Sequence, residues 1–158
     1  MKLENKIFEL NNFASEMAKL KSEKHFDFLV TIVGEDFGEE GLGCIYILEN
    51  TKTNERISVK AVDSNRENAF IPTVSNLWKG AEILEREVYD FFGIKFLGNK
   101  DMRRLYLRSD FNGYPFRKDY DLSPENNTYT LEDDVEPDYT IEYTMDEEGH
   151  IQQTEHKQ

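Results

Sequence analysis

Residues 81–93 read AEILEREVYDFFG, and this stretch decides the predicted fold. Its apolar residues recur at the three- and four-residue spacing of an α-helix: Ala81, Leu84, Val88 and Phe91. We therefore predict a helix over residues 80–92 whose apolar stripe packs against a sheet. Gly93 follows at the position where a left-handed cap is favoured, so the helix is expected to end there.

An N-terminal helix and three strands are predicted before this stretch. The helix covers residues 5–21, because apolar side chains again recur at helical spacing: Ile7, Leu10, Phe13, Met17 and Leu20. The strands cover residues 26–33, 44–49 and 55–62, and turn-forming residues separate them. We expect an antiparallel β-meander with both helices packed on it, which is a fold of the α+β class.

Alternation along the strands predicts which side chains face the core. In the first strand these are Phe26, Phe28, Val30 and Ile32. In the third strand they are Ile57, Val59 and Ala61. Cys44 begins the second strand, and we interpret it as a small core residue rather than a reactive thiol. As the single cysteine, it excludes a disulfide framework and a multi-cysteine metal or iron–sulfur site.

Charge is unevenly distributed along the chain. The net charge of −13 argues against sequence-independent binding to nucleic acid, because phosphates would be repelled. Residues 132–158 contain ten acidic residues and one lysine, whereas residues 95–118 contain seven basic residues and two acidic ones. We predict a domain over residues 1–120, which becomes loop-rich from residue 94 onward, and an acidic, extended tail over residues 121–158 that becomes ordered only on partners. A disordered tail that aids solubility is the alternative.

The sequence shows no sign of insertion into a membrane or of export. No apolar run approaches the roughly 18 residues that a membrane span needs. The first six residues lack the apolar block of a signal peptide, so we expect a chain that is not secreted.

Five charges on the helix over residues 80–92 allow two interpretations. In the structural one, Glu82, Arg86 and Asp90 form a ladder at four-residue spacing, and some of the charges bind the basic residues that follow: Arg103, Arg104, Arg117 or Lys118. In the catalytic one, Glu87 and Asp90 share a helix face and act as an acid/base pair. The histidines are too scattered for a metal site, and no glycine-rich nucleotide motif is present.

Three blocks in order resemble one known family. They are ERExxDxFGIxFxG over residues 85–98, DxRRxxL over residues 101–107 and PxRKDY over residues 115–120. This arrangement closely resembles the C-type subunit of NADH-quinone oxidoreductase (respiratory complex I), the 30 kDa subunit family. The residues that the resemblance marks as motif or interface positions are Glu85, Arg86, Glu87, Asp90, Phe92, Gly93, Gly98, Asp101, Arg103, Arg104, Pro115, Arg117, Lys118, Asp119 and Tyr120.

The chain departs from the family pattern at two places. The family usually has Gly-His-Pro where this chain has Gly98-Asn99-Lys100. It usually has Gly-His-Pro-Leu, or a close variant, where this chain has residues 113–116, Gly-Tyr-Pro-Phe. The missing histidines indicate a divergent branch, and branches of the family differ in electron donor.

The resemblance implies a non-catalytic subunit in the peripheral arm of a proton-translocating NADH-quinone oxidoreductase. It implies no catalytic, cofactor-binding or metal-binding residue in this chain; NADH or another donor, FMN, iron–sulfur clusters and quinone belong to the whole complex. The implied partners are the large quinone-cavity subunit (D type), the terminal-cluster subunit (B type) and other peripheral-arm subunits. The implied location is the cytoplasmic side of the cell inner membrane, with membrane contact only through the complex.

Three alternatives stay open at this point. The first is the equivalent subunit of a related membrane-bound hydrogenase or ferredoxin-dependent complex. The second is an independent protein-binding module, soluble and monomeric. The third is a small acid/base enzyme built on Glu87 and Asp90, which would need a concave pocket at that helix.

Overall fold

The structure is a computed structural model that describes residues 4–123, 139–145 and 151–157. Its helices are α1 (Leu10–Ser22) and α2 (Ala81–Phe92), and its strands are β1 (Glu4–Ile7), β2 (Phe28–Asp36), β3 (Leu42–Asn50), β4 (Glu55–Asp63), β5 (Phe70–Pro72), β6 (Lys95–Leu97), β7 (Tyr139–Met145) and β8 (Ile151–Lys157). A mixed sheet with two packed helices confirms the predicted α+β class.

The main sheet has the strand order β1-β4-β3-β2. Strands β2, β3 and β4 form the predicted antiparallel meander. Its register places Tyr46 opposite Val59, and both are fully buried on the core face. Helix α1 packs on this face, where the ring of Phe13 lies 5.2 Å from that of Tyr46. The predicted core positions of the third strand, Ile57, Val59 and Ala61, are all buried, as is Cys44.

Helix α2 packs closely against β2 because Gly34 has no side chain. A Cβ atom at Gly34 would lie 2.6 Å from the ring of Phe92 and 2.9 Å from Val88. Within α2, Ala81 and Val88 are buried as predicted. Phe91 was expected to face the sheet, and that prediction is wrong, because its ring stacks on aromatic side chains that come later in the chain.

The predicted start of the first helix is wrong. Residues 4–7 form β1, which pairs in parallel with β4, and α1 begins only at Leu10. Ile7, counted in the helical stripe, is 77% exposed. The hydroxyl of Ser58 on β4 donates to the side chain of Asn5 at 2.5 Å. Pairing with a distant strand therefore overrides local periodicity here, whereas the predicted stripe residues Phe13, Met17 and Leu20 are buried.

The predicted core face of the first strand is partly wrong. Phe28 is 51% exposed and Val30 is only half-buried, whereas Leu29 and Ile32 are buried. The cause is a register shift between Leu29 and Thr31, a bulge that interrupts the two-residue alternation. Strands β2 and β3 also extend further along the chain than predicted, so the loop between them covers only residues 37–41.

Two short strands were missed, and the tail is described only in part. Strands β5 and β6 pair in parallel over three residues each, too few for a periodic signal. Strands β7 and β8 form an antiparallel pair within the predicted extended tail. Residues 124–138 and 146–150 lie outside the described part, so ordering of the tail on partners stays a prediction.

Within the described ranges, neither helix has the length and apolar character that crossing a membrane requires.

Candidate interaction site at the C-terminal end of helix α2

Residues 98–120 follow β6 without a helix or strand, and we call them the coil segment. Such a segment has many backbone groups that need hydrogen-bond partners. Arg86 and Asp90 of α2 supply such partners from the helix side, and Glu85 binds the side chain of Asn99 in the same segment. Glu85 and Asp90 are completely buried, which is rare for carboxylates unless their oxygens are occupied.

Glu85 binds three donors, none of which is basic. One carboxylate oxygen accepts from the backbone N–H of Val74 at 2.8 Å. The other accepts from the hydroxyl of Thr73 at 2.7 Å and from the side-chain amide of Asn99 at 2.8 Å. Burial raises the pKa of Glu85 because the charged form loses its hydration, and the donors oppose this effect. Glu85 thereby joins α2 both to the turn after β5 and to the start of the coil segment.

Asp90 binds three consecutive backbone amides. One oxygen accepts from the N–H groups of residues 105, 106 and 107 at 3.1, 2.6 and 2.9 Å. The other oxygen accepts from the guanidinium of Arg104 at 3.2 Å. Successive N–H groups around one carboxylate form an anion-binding nest. Asp90 therefore fixes the backbone conformation in the middle of the coil segment.

The last four carbonyl groups of α2, which have no partners within a helix, all accept hydrogen bonds from residues beyond it. The donors are Gly93 N–H to Tyr89, Arg104 to Asp90, Phe116 N–H to Phe91 and Arg117 Nε to Phe92, at 2.8, 2.7, 3.1 and 2.6 Å. Two of the donors are cations, which the negative end of the helix dipole also favours. The end of α2 is therefore bound to the coil segment at several points.

Arg86 also binds the coil segment, so the predicted ladder with Glu82 and Asp90 is wrong. Its guanidinium donates to the backbone carbonyls of Arg103 and Arg104, each at 3.0 Å, and pairs with Asp101 at 3.1 Å. The backbone carbonyl groups of an irregular segment have no partners in a helix or strand, so they need side-chain donors such as the guanidinium of Arg86. The sequence predicted that some of the helix charges bind the basic residues that follow, and Asp90 pairs with one of them, Arg104, at 3.2 Å.

The coil segment packs directly against Gly93, at the end of α2. It has a left-handed conformation, with φ of 71°, as the sequence predicted for a cap. A Cβ atom there would lie 2.5 Å from Tyr114 and 2.6 Å from Arg117. Two guanidinium groups, those of Arg104 and Arg117, contact the ring of Tyr114, at 4.9 and 4.8 Å from its centroid. Burial lowers the pKa of Arg117 from its usual value.

A third buried carboxylate, Asp36 at the end of β2, was missed by sequence reasoning. It forms a two-bond ion pair with Arg66, at 2.6 and 2.8 Å, and accepts from the backbone N–H of Lys118 at 2.9 Å. The hydrogen bonds from Arg66 hold the pKa of Asp36 well below its usual value. Arg66 also reaches Asp119 at 3.3 Å. This cluster fixes the end of the coil segment to the sheet, and no spacing in the sequence signals it.

Three aromatic rings form a stack on the surface of this region. Phe91 lies in the middle, 4.4 Å from the ring of Phe116 and 5.8 Å from that of Tyr106, with interplanar angles of 13° and 20°. Phe116 is 58% exposed and Tyr106 is 64% exposed. No pattern in the sequence singles out these two rings, although large exposed aromatics on an ordered segment are typical of interfaces.

Comparison with known proteins identifies the family. The profile described as "Respiratory-chain NADH dehydrogenase, 30 Kd subunit" matches residues 8–126. The chain belongs to this family. The match includes the whole of the main sheet except β1, both helices and the coil segment.

Relatives in the family include fused proteins. The chain is 53% identical over 131 residues to the NADH-quinone oxidoreductase C/D-type subunit of Phocaeicola vulgatus, covering 83% of this chain and 25% of that protein. It is 42% identical over 163 residues to the C/D-type subunit of Bacteroides fragilis, covering 96% of this chain and 30% of that protein. It is 36% identical over 110 residues to the C-type subunit of Moorella thermoacetica, covering 69% and 74%. The chain thus spans about a quarter to a third of the fused relatives.

A solved structure is similar over most of the chain. It is titled the membrane-bound sulfane sulfur reductase, an archaeal respiratory membrane complex. One of its chains superposes with a TM-score of 0.68 and 26% identity, and the match covers 89% of this chain and 87% of that chain.

The structure brings most of the family-motif residues together around the end of α2. A Cβ atom at Gly98, where φ is 89°, would lie 3.0 Å from Thr73, and Asp101 pairs with Arg103 at 2.9 Å. Tyr120 donates to the carbonyl of Asn112 at 3.1 Å. Pro115 and Glu87 are half-buried. The remaining motif residues have the contacts given above: Glu85, Arg86, Asp90, Phe92, Gly93, Arg104, Arg117, Lys118 and Asp119.

The titratable groups considered for chemistry are buried or occupied by contacts within the chain. Within the described ranges, no group of three or more His, Cys, Asp or Glu side chains could hold a metal ion. Burial raises the pKa of Cys44 well above its usual value, so its thiol is poorly reactive. Both oxygens of Asp90 are occupied by donors, which leaves neither free to accept a proton from a substrate.

Proposed function

We propose that this chain is a non-catalytic, peripheral-arm subunit of an NADH-quinone oxidoreductase, in which neighbouring subunits transfer electrons from the donor to quinone. One observation carries the proposal: the buried charges of α2 are used to hold the coil segment in one conformation. Glu85 and Asp90 both bind backbone or amide donors, and both are completely buried. A surface fixed in this way is suited to docking, because little conformational freedom remains to be lost on binding.

The proposed partners follow from the relatives. The relatives in Phocaeicola vulgatus and Bacteroides fragilis carry the C and D designations together in the name of one protein, which supports a stable contact between the two units. We therefore propose the large quinone-cavity subunit (D type) as the main partner, and the terminal-cluster subunit (B type) and other peripheral-arm subunits as further neighbours. Donor, FMN, iron–sulfur clusters and quinone would all be bound by those chains, and the complex would place this chain at the cytoplasmic side of the inner membrane.

The domain division is part of the same proposal. Residues 1–120 would form the docking body, and residues 121–158 would be an acidic tail that becomes ordered on neighbouring subunits. Residues 132–158 contain ten acidic residues and one lysine. This composition supports the division, because such a segment cannot bury enough apolar surface to form a core alone.

A related complex is the second candidate. The similar solved structure is titled a sulfane sulfur reductase, so the same fold occurs in another respiratory membrane complex. The 53% identity to a subunit of NADH-quinone oxidoreductase favours the first candidate. No specific observation favours an acid/base enzyme, since the carboxylate of Asp90 is fully engaged by Arg104 and three backbone amides.

Substitution of Arg117 tests the structural role. Arg117→Ala removes the donors to the carbonyls of Phe92 and Arg66, so we expect the amount of assembled complex in membranes to fall at least about threefold. The reduction potential of the terminal cluster in the complex that remains should stay unchanged. Lys52→Ala is the control, because Lys52 lies in the exposed turn between β3 and β4. The complex should assemble normally with this variant. A fully populated complex with a changed cluster potential would contradict the proposal.

A further inference from the structure

We propose that the stacked rings of Tyr106, Phe91 and Phe116, called the ring stack below, are the docking contact for the D-type subunit. The inference rests on the proposed function, because it names the surface that performs the docking. The ring stack is a defined part of the chain, so this contact can be disproved while the proposed function holds.

The exposure of the ring stack is the first argument. Its two outer rings, Tyr106 and Phe116, are 64% and 58% exposed, although both belong to segments bound firmly to the body. Phe92 adds an edge-to-face contact to Phe116 at 5.7 Å, which extends the aromatic surface toward β2. Leaving this much aromatic area in water is unfavourable, so a binding partner would gain from covering it.

The rigidity of the ring stack is the second argument. The backbone N–H of Tyr106 donates to Asp90, and the backbone N–H of Phe116 donates to the carbonyl of Phe91. Each outer ring is therefore fixed at its backbone to the same helix that carries the central ring. Interfaces concentrate their binding energy in such pre-positioned aromatic side chains, because few rotamers are lost on association.

Charge and chain connection identify the occupant. The coil segment and β6 are rich in basic residues, seven against two acidic ones between 95 and 118, so the complementary surface is apolar with acidic groups around it. In the fused relatives the C and D designations belong to one protein, which places a D-type unit on the same chain as the region that carries the ring stack and favours it as the occupant.

The chain's own acidic tail is a weaker candidate for the occupant. It has complementary charge, but residues 132–158 contain no Phe or Trp, and their ten acidic side chains are costly to desolvate against aromatic rings. A folded subunit can present a continuous apolar surface, which the tail cannot.

Site-specific photo-crosslinking in the full-length, tagged chain tests the inference. p-Benzoyl-L-phenylalanine replaces Phe116, Tyr106 or, as the matched control, Phe28, which is 51% exposed on β2. Intact membranes of the native host are irradiated, and crosslinked products are identified by mass spectrometry. We expect at least about tenfold more crosslinking to the D-type subunit from positions 116 and 106 than from position 28.

Other products would overturn the inference: crosslinks from positions 116 and 106 within the chain's own tail, to a second copy, or to another subunit only. Equal yields of D-type product from all three positions would also overturn it. Recovery of the D-type subunit with the unmodified tagged chain separates the two claims. If that subunit is recovered but positions 116 and 106 do not crosslink to it, the ring-stack inference alone fails; if it is not recovered, the proposed function fails too.

Discussion

Arg104 binds Asp90 through two different acceptors: its Nη1 atom donates to the backbone carbonyl at 2.7 Å and to the carboxylate at 3.2 Å. The other terminal nitrogen of Arg104 donates to the carbonyls of Phe111 and Gly113, at 3.1 and 2.8 Å. One guanidinium group thus joins the last turn of α2 to two further points of the coil segment. Because the pair is buried, removal of either partner leaves the other without compensation.

Asp90→Ala should strongly destabilise the chain. Three backbone N–H groups, of residues 105–107, and one guanidinium group lose their acceptor in a buried position, so we expect a loss of about 3–5 kcal/mol in the free energy of unfolding. Urea denaturation gives the loss, and native-state hydrogen exchange should show faster exchange of those three amides. Asp110→Ala, which removes only an exposed pair with Arg108, is the control and should leave the unfolding midpoint nearly unchanged. Equal effects of the two variants would argue against the role given to Asp90.

Glu85→Gln should change how stability depends on pH. Burial raises the pKa of Glu85 in the folded chain above its value in the unfolded chain. Protonated Glu85 therefore contributes fully to the stability of the fold below the pKa of the unfolded chain, and this contribution is lost as the pH rises through the pKa of the folded chain. Glutamine has no charge to desolvate, so the stability of Glu85→Gln relative to wild type should increase as the pH rises between the two pKa values. Urea denaturation of both proteins below and above this pH range measures the change. Glu85→Ala should cost about 2–4 kcal/mol at both, because the donors of Val74 and Asn99 lose their acceptor. If the difference in unfolding free energy between wild type and Glu85→Gln does not depend on pH, Glu85 does not have the raised pKa described here.

Asp36→Asn should reduce the loss of stability in acid. The hydrogen bonds from Arg66 hold the pKa of Asp36 well below its usual value. The stability that the Asp36 carboxylate contributes is therefore present above its pKa in the unfolded chain, about 4, and is lost as the pH falls through its lower pKa in the folded chain. At neutral pH the variant should be less stable by about 2–3 kcal/mol, because Arg66 loses its main partner. Thermal unfolding from neutral pH into acid should show the gap narrowing; a constant gap would be the contrary result.

Gly93→Ala and Gly80→Ala form a matched pair. At Gly93 the backbone is left-handed and a Cβ atom would meet Tyr114 at 2.5 Å, so we expect a loss of about 2 kcal/mol or more. At Gly80 the backbone is helical, with φ of −62°, and no atom lies within 4 Å of the added Cβ, so alanine should be neutral or stabilise by up to about 1 kcal/mol. Chemical denaturation of both variants checks this order. Equal losses at the two positions would mean that the cap geometry does not restrict Gly93.

The sequence predicts the regular part of the fold because its signals are local. The stripe of Phe13, Met17 and Leu20 and the alternation of Ile57, Val59 and Ala61 are buried as expected. The length of α2 and the left-handed cap at Gly93 also follow from spacing and residue type. The motif blocks over residues 85–120 identify the family for the same reason, since they are contiguous in the chain.

The missed features depend on contacts between distant parts of the chain. Residues 4–7 form a strand because they pair with β4, roughly 50 residues later. The bulge after Leu29 shifts the alternation without any glycine or proline to mark it. In the sequence, nothing distinguishes Asp36 and Arg66 from ordinary loop charges. Only the fold brings them together and places the backbone of Lys118 beside Asp36. Sequence spacing also suggested that Arg86 pairs within the helix, whereas the unmet carbonyls of residues 103 and 104 bind it instead.

Affinity purification of the tagged chain from detergent-solubilised native membranes, followed by mass spectrometry, tests the proposed function most directly. The proposed function predicts recovery of the D-type large subunit, the B-type terminal-cluster subunit and subunits of the membrane arm, in comparable amounts. The remaining subunits would identify the electron-input module and so distinguish an NADH-quinone oxidoreductase from a related complex. Recovery of the chain alone, from the soluble fraction, would contradict the proposed function.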